Sequence, residues 1–277
     1  MLKDVTLGQY FPGSSLVHRM DPRVKLVFLF CFITALLMAD RALTYAGVFL
    51  FLLSAVAVSR VKPKALLKGM RPMLFIIVFT AILNIFYTPG EPLVSFWILS
   101  ISAEGIERAV FLTLRLMMLI SATFMLTYTT SPIALSDALA RLMSPLAKIR
   151  LPVHEFAMMM TIALRFIPTI IEETDKIMSA QKARGADFET GNLFRRAKAL
   201  IPLLVPLFVS AFRRADDLAV AMECRCYRGG EGRTRLKQLR MTGEDALVFI
   251  CGLLWLAGLT FAERLGWFDI SFDRFGL

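Results

Sequence analysis

The sequence predicts an all-α membrane protein of about five transmembrane helices, with further long amphipathic helices on the cytoplasmic side. Three observations carry this expectation. First, 57% of the 277 residues are hydrophobic, against roughly 45–50% in an ordinary soluble domain, and the mean hydropathy is +0.63. Second, the apolar residues gather in runs of span length. Third, a formal net charge of +10 sits on a chain too oily to be soluble. That charge has to lie outside the lipid, and excess Lys and Arg normally lie in the cytoplasm.

A span needs about 20 predominantly apolar residues, and about 17 suffice. Five runs of 15–21 residues are the candidates, each extended by its flanks: "VKLVFLFCFITALLMA" (24–39), "LTYAGVFLFLLSAVAV" (43–58), "MLFIIVFTAILNIFY" (73–87), "AVFLTLRLMMLISATFMLTYT" (109–129) and "ALVFICGLLWLAGLTFA" (246–262). Only "DRA" separates the first two, which makes them a tight hairpin. The N-terminal segment carries Lys3, Arg19, Arg23 and Lys25, and the 60–71 loop carries Arg60, Lys62, Lys64, Lys68 and Arg71. The 88–108 loop instead carries Glu91, Glu104 and Glu107 with Arg108. The N-terminus and the 60–71 loop are therefore expected inside, and the 88–108 loop outside. The N-terminal stretch has no apolar core of its own and does not read as a cleaved signal peptide.

The region 131–244 is basic throughout. "TSPIALSDALARLM" opens with Ser131 as N-cap and Pro132 at the first helical position. Leu135, Ala138, Leu139, Leu142 and Met143 share one helix face. A long helix over roughly 153–184 and another over roughly 193–225 follow. The first contains Pro168 and an i, i+4 pair, Glu172 and Lys176; the second contains Pro202, Pro206 and the pair Arg213 and Asp217. Prolines kink helices, so neither should be straight. Their apolar stretches, 156–171 and 200–212, are short and have positive charge at both flanks. They read as helices covered by protein or lying along the inner membrane surface. A second reading makes them two further spans. The expected division is 1–130 (N-terminal segment and four spans), 131–244 (cytoplasmic helices) and 245–277 (last span and tail).

The small inventory of chemistry-bearing residues narrows the function. Cys31 and Cys251 lie inside apolar runs. Cys224 and Cys226 form C-x-C, which lacks the spacing of common zinc sites. His18 and His154 are far apart. No metal site and no cofactor is expected. "RGGEGRTR" (228–235) lacks the lysine of a phosphate-binding loop, so the chain is not expected to hydrolyse ATP. Asn84 and Arg115 are the notable polar groups within the spans. Arg115 is as well explained by a partner inside the bundle as by a substrate path.

Two arginines stand out. "QKARGADFE" (181–189) places Arg184 between Ala183 and Gly185, and "MECRCYRGG" (222–230) places Arg225 between Cys224 and Cys226. Each ends a long helix. A cation there is favoured by the helix dipole, and Gly185 suits a helix end because it tolerates positive φ. Small neighbours also clear room for another surface, onto which the planar guanidinium can pair with a carboxylate. Two such ends look like two plugs for two similar sockets.

With "DPRVKL" (21–26) and "RFIPTIIEE" (165–173), these motifs resemble the transmembrane coupling subunit, or T component, of energy-coupling factor transporters, an ATP-binding-cassette class of importers. The resemblance runs from Asp21 to the fifth span. One departure is that the second Ala-Arg-Gly motif reads Cys-Arg-Cys here. The resemblance implies a scaffold with long coupling helices. Ala183, Arg184 and Gly185 would dock one ATPase subunit, and Cys224, Arg225 and Cys226 a second. A substrate-binding S component in the membrane would pack on the apolar coupling-helix surface, for which Met158 and Leu204 are candidates. The partners implied are thus two ATPase subunits, an S component and membrane lipid, with no nucleic acid, and the cargo a vitamin or a metal. A self-sufficient secondary transporter would show inverted repeats with broken helices, and no convincing repeat is visible. A lipid-modifying enzyme would need a cluster of carboxylates, histidines or a nucleophile, and the acidic residues are scattered.

Overall fold

"DPRVKL" shows how this chain starts a helix. In the computed structural model, which describes residues 10–88, 92–96, 99–149, 152–188, 192–229 and 241–265, a short helix α1 (Leu16–Arg19) leads into α2 (Pro22–Met38). Asp21 caps α2: its carboxylate accepts from the Arg23 amide at 2.9 Å and from the Arg23 guanidinium at 2.6 Å. Pro22 takes the first helical position, where a missing N–H costs nothing. Lys25 is buried and donates to the Thr129 carbonyl at 3.0 Å and the Thr130 hydroxyl at 3.1 Å. The motif therefore fixes the start of α2 against the end of a later helix.

The remaining helices are α3 (Ala42–Ser59), α4 (Pro63–Met70), α5 (Leu74–Tyr87), α6 (Ala103–Thr129), α7 (Pro132–Leu142), α8 (Val153–Ala183), α9 (Leu193–Cys224) and α10 (Gly243–Arg264). Single 3-10 stretches cover Arg71–Met73 and Ser144–Ile149. Ser131 caps α7 as its sequence predicts, accepting from the Ala134 amide at 3.3 Å. The fold class is all-α and transmembrane, with one addition. The 88–108 loop contains a short antiparallel hairpin, β1 (Pro92–Phe96) with β2 (Leu99–Ser102).

Five helical stretches are long and apolar enough to cross a membrane: Ala42–Ser59, Pro63–Tyr87, Ala103–Thr129, Val153–Ala183 and Gly243–Arg264. Four of these contain expected runs, and Val153–Ala183 joins them. The first run forms α2, a helix of 17 residues, about 25 Å at 1.5 Å per residue. Helix α8 enters by length and composition, at a mean hydropathy of 1.2 against 1.8–2.0 for the other four. The second reading makes both 156–171 and 200–212 spans; by length and composition the helix with 156–171 qualifies, and α9, which carries 200–212, is not among the five. The third run is longer than expected because α4 leads into α5 through a single 3-10 turn.

The described residues form two compact units, one of 10–138 with 241–265 and one of 139–229. In the first, Phe32, Leu36, Val48, Leu52, Met118 and Leu256 make the main core, contributed by α2, α3, α6 and α10. Its outer faces stay apolar: Phe30, Leu50, Phe75 and Leu254 are all exposed. Such a surface suits lipid rather than water. The tight turn between α2 and α3 is tied to α10, because Glu263 accepts from the amides of Asp40 at 2.8 Å and Arg41 at 2.9 Å. Arg115 also closes on this turn. It donates to the Ala39 carbonyl at 2.7 Å, lies 3.7 Å from the Asp40 carboxylate and sits over the Tyr45 ring. Its partners are thus within the bundle. Asn84 donates to the carbonyl one turn back, at Thr80.

The second unit is built on α8 and α9, which run antiparallel. Gln181 near the end of α8 donates to the Pro202 carbonyl in α9. Further back along α8, Glu173 accepts from Arg214 at 2.6 Å and from the Ser210 hydroxyl. Both helices remain continuous through Pro168, Pro202 and Pro206.

Candidate functional site

The ends of α8 and α9 share one geometry. At the first, the Gly185 amide donates to the Lys182 carbonyl and the Ala186 amide to Gln181, each at 3.0 Å. At the second, the Cys226 amide donates to the Glu223 carbonyl at 2.8 Å and the Tyr227 amide to Met222 at 3.0 Å. This paired arrangement is the Schellman motif, which satisfies carbonyls left over at a helix C-terminus. Arg184 and Arg225 occupy the same cap position in it, at φ −84°, ψ 6° and φ −92°, ψ 16°.

The motif needs a left-handed residue just after the arginine. Gly185 supplies it at φ 87°, and Cys226 supplies it at φ 55°. The nearest glycines to the second helix end are Gly229 and Gly230. The structure places the left-handed residue three positions earlier, on Cys226. A side chain there costs roughly 1–2 kcal/mol of local strain, offset by the two closing hydrogen bonds. The cap position leaves both arginines exposed, and their neighbours Ala183, Gly185, Cys224 and Cys226 are exposed too.

The antiparallel pairing sends the two ends in opposite directions. Eleven residues separate Glu173 from Arg184, and eleven separate Arg214 from Arg225. Each arginine therefore lies about 16 Å beyond the interhelical ion pair at 1.5 Å per residue, and the two lie roughly 33 Å apart along the helices. Eleven residues are also close to three whole turns. Each arginine thus leaves its helix near the face that carries the ion pair.

Glu173 enters the sequence reading only as the last residue of "RFIPTIIEE", and Ser210 and Arg214 have no place in it, because it pairs charges only within each helix. Nothing local in the sequence marks the pairing, which joins two helices. Met158 and Leu204, the two apolar candidates, are not brought together. Met158 lies near the start of α8 and lines a cavity of about 500 Å³ that also contains Arg225, Cys226 and Tyr227. Leu204 is exposed on α9 between Ile201 and Phe208, close to a stripe of exposed apolar residues at Phe194, Ile201, Val205, Phe208 and Phe212.

Comparison with known proteins assigns the chain. The CbiQ family model, described as cobalt transport protein, matches residues 13–236. An energy-coupling factor transporter transmembrane protein EcfT from Ruminiclostridium cellulolyticum is 54% identical over 248 residues, 90% of this chain and 93% of the relative. The protein of that name from Thermosediminibacter oceani is 52% identical over 254 residues, covering 91% and 96%. The one from Bacillus subtilis is 48% identical over 265 residues, covering 95% and 100%. Coverage is nearly complete in both directions, and the apolar helices are those of a multi-pass membrane protein. The chain belongs to the CbiQ family and, within it, to the transmembrane components of energy-coupling factor transporters.

Proposed function

We propose that this chain is the coupling scaffold of a multi-subunit importer, holding two ATPase subunits by Arg184 and Arg225 and passing their ATP-driven motion to a substrate-binding S component. One observation carries the reading. Two helices end in the same turn, with an exposed arginine at the same position, at opposite ends of an antiparallel pair. A single capping cation needs no such duplication. Two copies at a fixed separation fit two similar sockets on two similar subunits. ATP hydrolysis belongs to those subunits, and recognition of the vitamin or metal to the S component.

The exposed apolar face of α9 around Leu204 is the surface offered to the S component. An apolar stripe of this extent marks an interface. A charged residue at Leu204 weakens S-component binding and spares the ATPases. The N-terminus and the region 131–244 lie in the cytoplasm in this reading. Reactive cysteines placed at 187 and 231 then resist an impermeant reagent until the membrane is opened.

The decisive experiment is co-purification of ATPases with Arg184→Ala, Arg225→Ala and the double variant, together with uptake. Truncating one member of a desolvated charge pair costs about 2–5 kcal/mol. Each single variant weakens the complex, while the second site still tethers it at high effective concentration. The double variant separates the subunits and stops uptake. A double variant that retains both ATPases and transports at the parental rate reduces the arginines to helix caps.

A further inference from the structure

The cavity beside Arg225 is not explained by a charge–charge plug. It is an open depression of about 500 Å³, lined by Met158 and Ile162 of α8, Leu218 and Met222 of α9, and Tyr227 beyond the second helix end. The wall is mainly apolar, and Arg225 and Arg228 stand at the cavity as exposed cations. The Schellman turn builds this arrangement: it folds Tyr227 back onto Met222 through the amide–carbonyl bond, the place where such motifs bring two apolar side chains together.

We infer that this cavity is the second half of the Arg225 docking site, and that it receives an apolar side chain of the ATPase subunit presented beside a carboxylate. The inference rests on the reading of Arg225 as a docking residue. Three features select that occupant. An apolar pocket with a charged rim is the arrangement of an interface anchor, where one bulky side chain is desolvated and ion pairs surround it. The two cations at the rim call for anionic groups on whatever enters, and a cross-link to protein or to lipid tells a carboxylate from a headgroup. The cavity is also continuous with Arg225 itself, so whatever pairs with that arginine is already at its mouth.

The consequence concerns α8. Arg225 belongs to α9 alone, but Met158 and Ile162 belong to α8. An anchor seated between them grips both helices at once. Met158 then acts on the ATPase side of the complex rather than on the S-component side.

The test uses the whole transporter complex, with a photo-crosslinking benzoylphenylalanine in place of Ile162, and separately with Leu218→Trp, which fills the cavity. The expected results are a cross-link from position 162 to an ATPase subunit, and an affinity for ATPases at least about tenfold weaker in Leu218→Trp, the scale of one lost interface anchor. S-component binding is unchanged. A cross-link to the S component or to lipid, or the absence of any protein adduct, overturns the inference. So does wild-type ATPase affinity in a folded Leu218→Trp. Arg225→Ala, measured in parallel, separates the two failures. If it weakens docking while Leu218→Trp does not, the arginine docks and the cavity is idle. If neither weakens it, the docking reading itself is wrong.

Discussion

Cys226 holds the backbone position at the end of α9 that Gly185 holds at the end of α8. Both are left-handed, at φ 55° and 87°, and both close the same pair of hydrogen bonds. The two helix ends are thus alike in geometry and unlike in strain.

Replacing Cys226 by Gly removes a side chain from a conformation that disfavours one. Cys226→Gly is expected to leave ATPase docking intact and to raise the stability of the isolated subunit by up to about 1 kcal/mol. Cys226→Val, β-branched, is expected to lower stability and weaken docking together. Thermal unfolding in detergent and ATPase affinity measure the two effects. A Cys226→Gly protein that loses ATPases shows that the thiol itself is recognised.

The Glu173–Arg214 pair holds α8 to α9 at partly exposed positions. A double-mutant cycle with Glu173→Gln and Arg214→Met is expected to give a coupling energy of about 1 kcal/mol, above an ordinary surface pair because Ser210 also donates to Glu173. Uptake is expected to fall more than ATPase binding, since the turns at Arg184 and Arg225 remain. Equal losses of the two argue that the pair only maintains the fold.

Arg115 is held by the Ala39 carbonyl and the Tyr45 ring. Arg115→Met is therefore expected to reduce the yield of folded protein, at a cost of about 1–3 kcal/mol for the orphaned contacts. Uptake per folded molecule stays near normal. Arg115→Lys recovers part of the yield. A folded Arg115→Met protein without uptake puts the residue on the transport path instead.

Gly252 in α10 lies against the Phe28 ring of α2, so close that a Cβ would overlap the ring. Gly252→Leu is expected to destabilise the first unit by roughly 1–3 kcal/mol through overpacking, with partial rescue by Phe28→Ala. Thermal unfolding of the single and double variants decides it, and no rescue places the cost elsewhere.

Much of this was legible in the sequence, because apolar periodicity and caps act locally. The bounds of α7, α8 and α9 agree with the expected ones to within a residue or two, and Ser131 and Pro132 open α7 as read. Arg184 was visible as a helix-end residue through Gly185, and Arg225 as the end of the helix read over roughly 193–225. What escaped depends on contacts across the chain. The Glu173–Arg214 pair joins residues 41 positions apart, and charge patterning along one helix cannot see it. The Gly252–Phe28 contact has no local signal. The left-handed Cys226 escaped because nothing local marks a cysteine as a helix-ending residue, whereas the glycines nearby do.

Two equal arms extend from the place where Glu173 meets Arg214, each about 16 Å long and each tipped by an arginine. Equal arms impose a balance. If both tips are displaced by equal amounts in opposite directions, the meeting point stays where it is. If only one tip is drawn, the meeting point is displaced as well. An arrangement of this kind distinguishes symmetric from lopsided motion of whatever it is fastened to, and lengthening either arm by a single turn would spoil that discrimination.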